Sequence, residues 1–121
     1  MGKKILIVDD SESIREVVSA TLTNVGYEVL SAIDGVDALN YVDGEPIDLI
    51  ITDLNMPNKD GIQLIREIRA QDTYKFTPIL LLTTESQADK KKEAKLAGAT
   101  GWIVKPFVQE KLLSTIKKVI R

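Results

Sequence analysis

The sequence has no cysteine and no histidine. Without cysteine there is no disulfide framework, no zinc–thiolate site and no thiol catalysis. Without histidine, a mechanism needing an imidazole base is excluded, and so is a phosphohistidine on this chain. Long apolar runs are missing too. The first, Ile5–Val8, is four residues long, too short for a signal peptide or a membrane span. Leu6 stands where a myristoylation signal beginning Met1–Gly2 needs Ser or Thr. There is no repeat, low-complexity tract or linker. The 121 residues suit one domain, expected to span 1–121, and 44% hydrophobic content allows a real core. A soluble cytoplasmic protein is the expectation.

A surplus of positive charge is also absent. The net charge is −2 and no recognition helix is evident, so nucleic acid is not an expected partner. The small net value hides an asymmetry. Residues 1–85 carry 15 acidic and 7 basic side chains, net −8, while residues 86–121 carry 3 and 9, net +6. Such a field can orient an encounter with an acidic partner. Lys90, Lys91, Lys92, Lys95, Lys117 and Lys118 equally suit the solvated faces of two helices.

What is present is a set of four short apolar runs, each ending on a reactive polar group. Ile5–Val8 stops at Asp9-Asp10, Leu49–Thr52 at Asp53, Ile79–Leu82 at Thr83-Thr84, and Trp102–Val104 at Lys105-Pro106. Segments of helical period lie between them. Ile14, Val17, Val18, Leu22 and Val25 stripe a helix over 13–25, with Ser13 and Glu16 at capping-box spacing and Gly26 to end it. Val29-Leu30 predicts a short strand, and 35–42 a short helix opened by Asp34. Ile62, Ile65 and Ile68 mark a helix over 61–69. Ser86 with Asp89 starts one over 86–97, which Gly98 ends, and Leu112, Leu113, Ile116, Val119 and Ile120 face inward from 109–120. The 86–97 helix has few large apolar groups and is a candidate moving part.

These are five βα units. Strands that read as continuous apolar runs are covered by helices on both faces, and right-handed crossovers make the fold a doubly wound α/β sheet. A (β/α)₈ barrel needs about 250 residues. If the runs are neighbouring parallel strands, three carboxylates, a hydroxyl and an ammonium meet at the carboxyl edge, where ligands bind in open α/β sheets. Two like charges about 4 Å apart cost on the order of 4 kcal/mol at an effective dielectric of 20. A hard divalent cation such as magnesium offsets that, and so does Lys105. Magnesium, a lysine and a hydroxyl around a carboxylate are what phosphoryl transfer needs, with Asp53 best placed as nucleophile and Thr83 as a hydrogen-bond donor. Duller roles fit the residues singly: a turn cap for Asp10, a backbone-bonded strand-end hydroxyl for Thr83.

The segments Val8-Asp9-Asp10, Thr52-Asp53-Leu54-Asn55-Met56-Pro57, Leu82-Thr83-Thr84-Glu85 and Gly101-Trp102-Ile103-Val104-Lys105-Pro106-Phe107 together resemble the receiver domains of two-component response regulators. The resemblance covers essentially the whole chain and is strongest to single-domain chemotaxis members. It implies a (βα)5 flavodoxin-like fold with a five-stranded parallel sheet of order 2-1-3-4-5, an order that periodicity does not fix. It further implies that Asp53 accepts the phosphoryl group. Magnesium, one per chain, would be bound by the carboxylates of Asp10 and Asp53, by the Asn55 backbone carbonyl, and by Asp9 through water. Lys105 would pair with the phosphoryl group and Thr83 would move toward it. Asn55 and Glu85 would tune its hydrolysis, and the Lys105–Pro106 bond would be cis. Trp102 stands where the family usually has a switching Tyr or Phe. An indole is larger and donates one hydrogen bond while accepting none; as a plain hydrophobe it would cover the sheet edge.

The expected function is thus a phosphorylation-dependent signalling switch, not an enzyme. A histidine kinase donates the phosphoryl group, and a separate output protein such as the flagellar motor switch reads the result. That protein would dock around Lys91, Lys95, Trp102 and the exposed side of 109–120. A phosphatase is a further partner in this scheme. A phosphorelay intermediate is the nearest alternative. A magnesium-dependent aspartate-nucleophile phosphatase would use similar groups, but no cap region remains to form its pocket. A flavin module is disfavoured because Asp9-Asp10-Ser11-Glu12-Ser13 is acidic where a phosphate cradle needs Gly, Ser or Thr.

Overall fold

Strand and helix alternate along the whole chain: β1 (Lys4–Val8), α1 (Glu12–Asn24), β2 (Glu28–Ala32), α2 (Gly35–Ala38), β3 (Leu49–Thr52), α3 (Gly61–Arg69), β4 (Ile79–Thr83), α4 (Ala88–Ala97), β5 (Gly101–Val104) and α5 (Gln109–Val119). The computed structural model describes residues 2–120; Met1 and Arg121, the ends of the expected domain, lie outside the described residues. The five strands are parallel and ordered β2-β1-β3-β4-β5. This is the flavodoxin-like order that the resemblance implies. No helix among the described residues is long and apolar enough to cross a membrane.

The apolar runs are continuous because each strand supplies two cores. Ile5 and Ile7 join Leu49, Ile51, Leu80 and Leu82 against Val18 and Leu22 of α1 and Leu112 and Ile116 of α5. Leu6 and Val8 join Ile50, Ile79 and Leu81 against Ile62, Ile65 and Ile68 of α3, with Ala38 of α2 and Ala94 of α4. Adjacent strand residues thus point to opposite layers. Each fully buried Leu or Ile contributes about 1.5–3 kcal/mol of transfer free energy.

Several element ends differ from the sequence reading. The N-cap of α1 is Ser11, whose Oγ accepts the Ile14 N–H at 3.3 Å. Ser13 already lies inside the helix, because the Asp9 carboxylate takes the Ser11 N–H at 2.9 Å and starts the turn earlier. Gly26 does end it, at φ 96°. The helix expected over 35–42 is regular only for Gly35–Ala38. Beyond it Leu39, Asn40 and Tyr41 donate to the carbonyls three residues back, a tighter winding. Ser86 does not open α4. Glu85 Oε2 takes the Gln87 N–H at 3.3 Å, so the chain turns there and the helix starts at Ala88 without a side-chain cap. Gly98 ends α4 in the left-handed region, φ 118°. A 3₁₀ turn at Asp72–Tyr74, absent from the sequence reading, connects α3 to β4.

Candidate functional site

The parallel register brings the strand ends into one row. Val8 stands opposite Thr52 and Thr83 opposite Val104, so the residues following β1, β3 and β5 emerge together beside Thr83. Backbone bonds carry the alignment past the strands: the Asp53 N–H reaches the Val8 carbonyl at 2.9 Å, and the Lys105 N–H the Thr83 carbonyl at 2.8 Å. Asp9 and Asp53 are buried and Asp10 is exposed. Oxygens of all three carboxylates lie within 4.8 Å of one another. Lys105 Nζ is 2.8 Å from Asp9 Oδ2 and 3.4 Å from Asp53 Oδ2. Its positive charge offsets part of the repulsion that this grouping creates, at an interior site where screening is weak. Hard oxygen donors clustered so closely suit a magnesium ion rather than a soft metal.

Not every expected residue joins this group. Thr83 is fully buried at the end of β4, and its Oγ1 accepts the Glu85 N–H at 3.2 Å. Asn55 is exposed on the loop after Asp53. Trp102 is half-buried against the α3/α4 core, and its Nε1 donates to the Glu85 carbonyl at 3.0 Å. Lys91 Nζ lies 5.7 Å from the centre of the indole ring, within cation–π range. Lys91, Lys95, Ala94 and Trp102 line a groove of about 240 Å³ between α4 and β5. Glu85 therefore stands between Thr83 and Trp102, bonded to each through its backbone. The Lys105–Pro106 bond is cis.

Several contributors escaped the sequence reading. Arg15 donates from Nη1 to the Asp9 carbonyl at 2.7 Å. Thr52 Oγ1 donates to the Asp53 carbonyl at 2.9 Å, and the Leu54 N–H donates to Asp53 Oδ1 at 2.7 Å. Asn58, at φ 71°, donates to Asp34 Oδ2 at 2.8 Å and ties the loop after β3 to the start of α2. The Asp37 N–H and the Asn58 amide hold the Asp34 carboxyl below the usual carboxylate range. The positive φ at Asn58 has a weak signal in the turn-forming Pro57-Asn58. Single Arg and Thr residues carry no such signal.

A family model described as "Response regulator receiver domain" matches residues 5–117. The chain belongs to the response regulator receiver family. Chemotaxis protein CheY of Pseudomonas aeruginosa is 38% identical over 117 residues, 96% of this chain and 94% of that protein. A CheY homolog of Campylobacter jejuni is 37% identical over 119 residues, 97% of this chain and 92% of its own. Among solved structures, Vibrio cholerae chemotaxis protein CheY4 superposes with a TM-score of 0.95 at 51% identity, covering 99% of this chain and 100% of that one. The receiver domain of a Pseudomonas aeruginosa sensor histidine kinase, solved with a magnesium ion coordinated in its active-site cleft, gives 0.90 at 30% identity, covering 98% of each. The present receiver domain offers an acidic pocket of matching chemistry in Asp9, Asp10 and Asp53.

Proposed function

We propose that residues 1–121 form a receiver domain that accepts a phosphoryl group on Asp53 from a histidine kinase and signals by binding an output protein. The observation that carries this is the meeting of Asp53 with Asp9, Asp10 and Lys105 at one sheet edge. An Asp53 carboxylate oxygen forms the bond to phosphorus while the bond from phosphorus to the donor nitrogen breaks, and that nitrogen leaves with the electron pair. Asp10 and Asp53 through their carboxylates, the Asn55 carbonyl, and Asp9 through water would hold magnesium. When bound, the ion supplies neutralisation of charge on the phosphoryl oxygens.

Lys105 reorients from the carboxylates to the new dianion, and Thr83 exchanges its acceptance from Glu85 for donation to a phosphoryl oxygen. The loop at Glu85 then moves, and with it the carbonyl that holds Trp102. The altered α4–β5–α5 face, with Lys91, Lys95 and Trp102, is the proposed docking surface. The names of the relatives support a chemotaxis setting, and the flagellar motor switch is the proposed output. The same likeness supports a cytoplasmic location. A phosphatase that removes the group completes the proposed set of partners.

The test is phosphorylation with acetyl phosphate and magnesium. The intact chain acquires hydroxylamine-sensitive phosphate, and Asp53→Asn acquires none. Unchanged uptake in that variant would refute the acceptor assignment.

A further inference from the structure

We propose that Gly61 is a positioning residue for phosphoryl transfer, because the space left by its missing side chain seats the Asp53 peptide. The inference rests on the reading of Asp53 as acceptor. A Cβ at Gly61 would lie 2.3 Å from the Asp53 carbonyl oxygen, 2.9 Å from Leu54 Cα and 3.2 Å from the Asp53 carbonyl carbon. All three are backbone atoms, so no rotamer change relieves the overlap. The φ of Gly61 lies outside the left-handed region, so close approach rather than backbone freedom requires glycine.

Two further contacts make this peptide a fixed mount. Thr52, fully buried, donates its hydroxyl to the same Asp53 carbonyl at 2.9 Å. The Gly61 N–H donates to the Leu54 carbonyl at 2.8 Å, closing the loop that contains Asn55. The Leu54 N–H in turn holds Asp53 Oδ1 at 2.7 Å. A shift of the 53–54 peptide therefore carries the carboxylate with it and changes its spacing from Lys105 and the other two acids. Ordinary contact begins near 3.4 Å, so a methyl group at Gly61 moves the two backbones apart by about 1 Å. Displacing a reacting group by about 1 Å can cost on the order of a hundredfold in rate. In transfer from acetyl phosphate, an Asp53 oxygen bonds to phosphorus as the bond to the acetyl oxygen breaks, and acetate leaves with the electron pair.

The experiment compares the intact chain with Gly61→Ala, Thr52→Val and a control, Ile5→Val, at the far end of β1. Acetyl-phosphate-driven phosphorylation, thermal melting and the amide resonance of Leu54 are measured on each. Gly61→Ala is expected to melt cooperatively above the assay temperature and to phosphorylate about tenfold to a hundredfold more slowly. Its Leu54 amide resonance shifts as the 53–54 peptide and the carboxylate it holds are displaced. Thr52→Val slows the reaction less and moves the same resonance, and it decides the matter if Gly61→Ala does not fold. Ile5→Val changes neither. A wild-type rate in Gly61→Ala, or slowing with the Leu54 resonance unmoved, would overturn the proposal. Failure of the unsubstituted chain to take up phosphate would instead remove the acceptor reading on which it rests.

Discussion

Helices α3 and α4 follow neighbouring strands, β3, which leads into Asp53, and β4, which ends on Thr83, yet they are built on opposite plans. α3 is capped by Asp60, which accepts the Gln63 N–H at 2.8 Å, and it buries Ile62, Leu64, Ile65 and Ile68. α4 has no side-chain cap at Gln87, buries only Ala94 and exposes Leu96. It is held at its far end: Arg69 of α3 donates to the Gly98 carbonyl at 2.8 and 3.2 Å, and to the carbonyls of Tyr74 and Thr77. The turn before its near end is held by the Trp102 Nε1 bond to the Glu85 carbonyl, but among the described residues no side chain caps the first turn of the helix itself. The exposed Arg66–Glu93 pair at 3.6 Å adds little. A well-packed platform thus holds the proposed acceptor, and a helix anchored mainly at one end faces the proposed partner. Low local stability suits the part that is proposed to move.

Substitutions can break or sharpen this contrast. Ile65→Ala, in the fully buried face of α3, is expected to cost about 2–5 kcal/mol in chemical denaturation. Asp60→Ala removes the α3 cap and costs about 1 kcal/mol. Gln87→Asp gives α4 the cap it lacks; urea denaturation should show a gain of about 0.5–1 kcal/mol, with slower amide exchange in the first turn of α4. Leu96→Ala, at a side chain 80% exposed, should stay within about 0.5 kcal/mol of the unsubstituted chain. A loss above about 2 kcal/mol there would mean that α4 is anchored as firmly as α3.

A pH dependence follows at α2. Hydrogen bonds to Asp34 lower its folded pKa below the ordinary 3.8, so its stabilising effect is complete above that value. It is lost as the pH falls through the depressed folded value. The stability difference between the unsubstituted chain and Asp34→Ala should therefore shrink on acidification below about pH 4. A difference that grows there would reverse the sign assigned to Asp34.

Strand positions and the acid group were legible because apolar runs ending in Asp, Thr and Lys are a one-dimensional record of a sheet edge. The strand order came from the family resemblance. Helix starts were less legible. Ser11 and Ser13 have the same chemistry, and only the turn set by Asp9 decides between them. Ser86 looked like a cap but loses that role to the Glu85–Gln87 contact. Gly61 read only as the start of a helix. Its packing against the Asp53 carbonyl depends on a tertiary approach between α3 and β3 that no local pattern encodes. Trp102 was recognisable as a departure from the family's Tyr or Phe, whereas its bond to Glu85 and its neighbour Lys91 required the fold.

In the proposed switch, phosphorylation of Asp53 is read in α4 while α3 stays fixed. Hydrogen exchange of the intact chain, with and without beryllium fluoride and magnesium, tests it most directly. Altered protection is expected in α4 and the 84–87 turn, with the core amides of α3 unchanged and no effect in Asp53→Asn. Equal changes in α3 and α4, or changes that persist in Asp53→Asn, would contradict it.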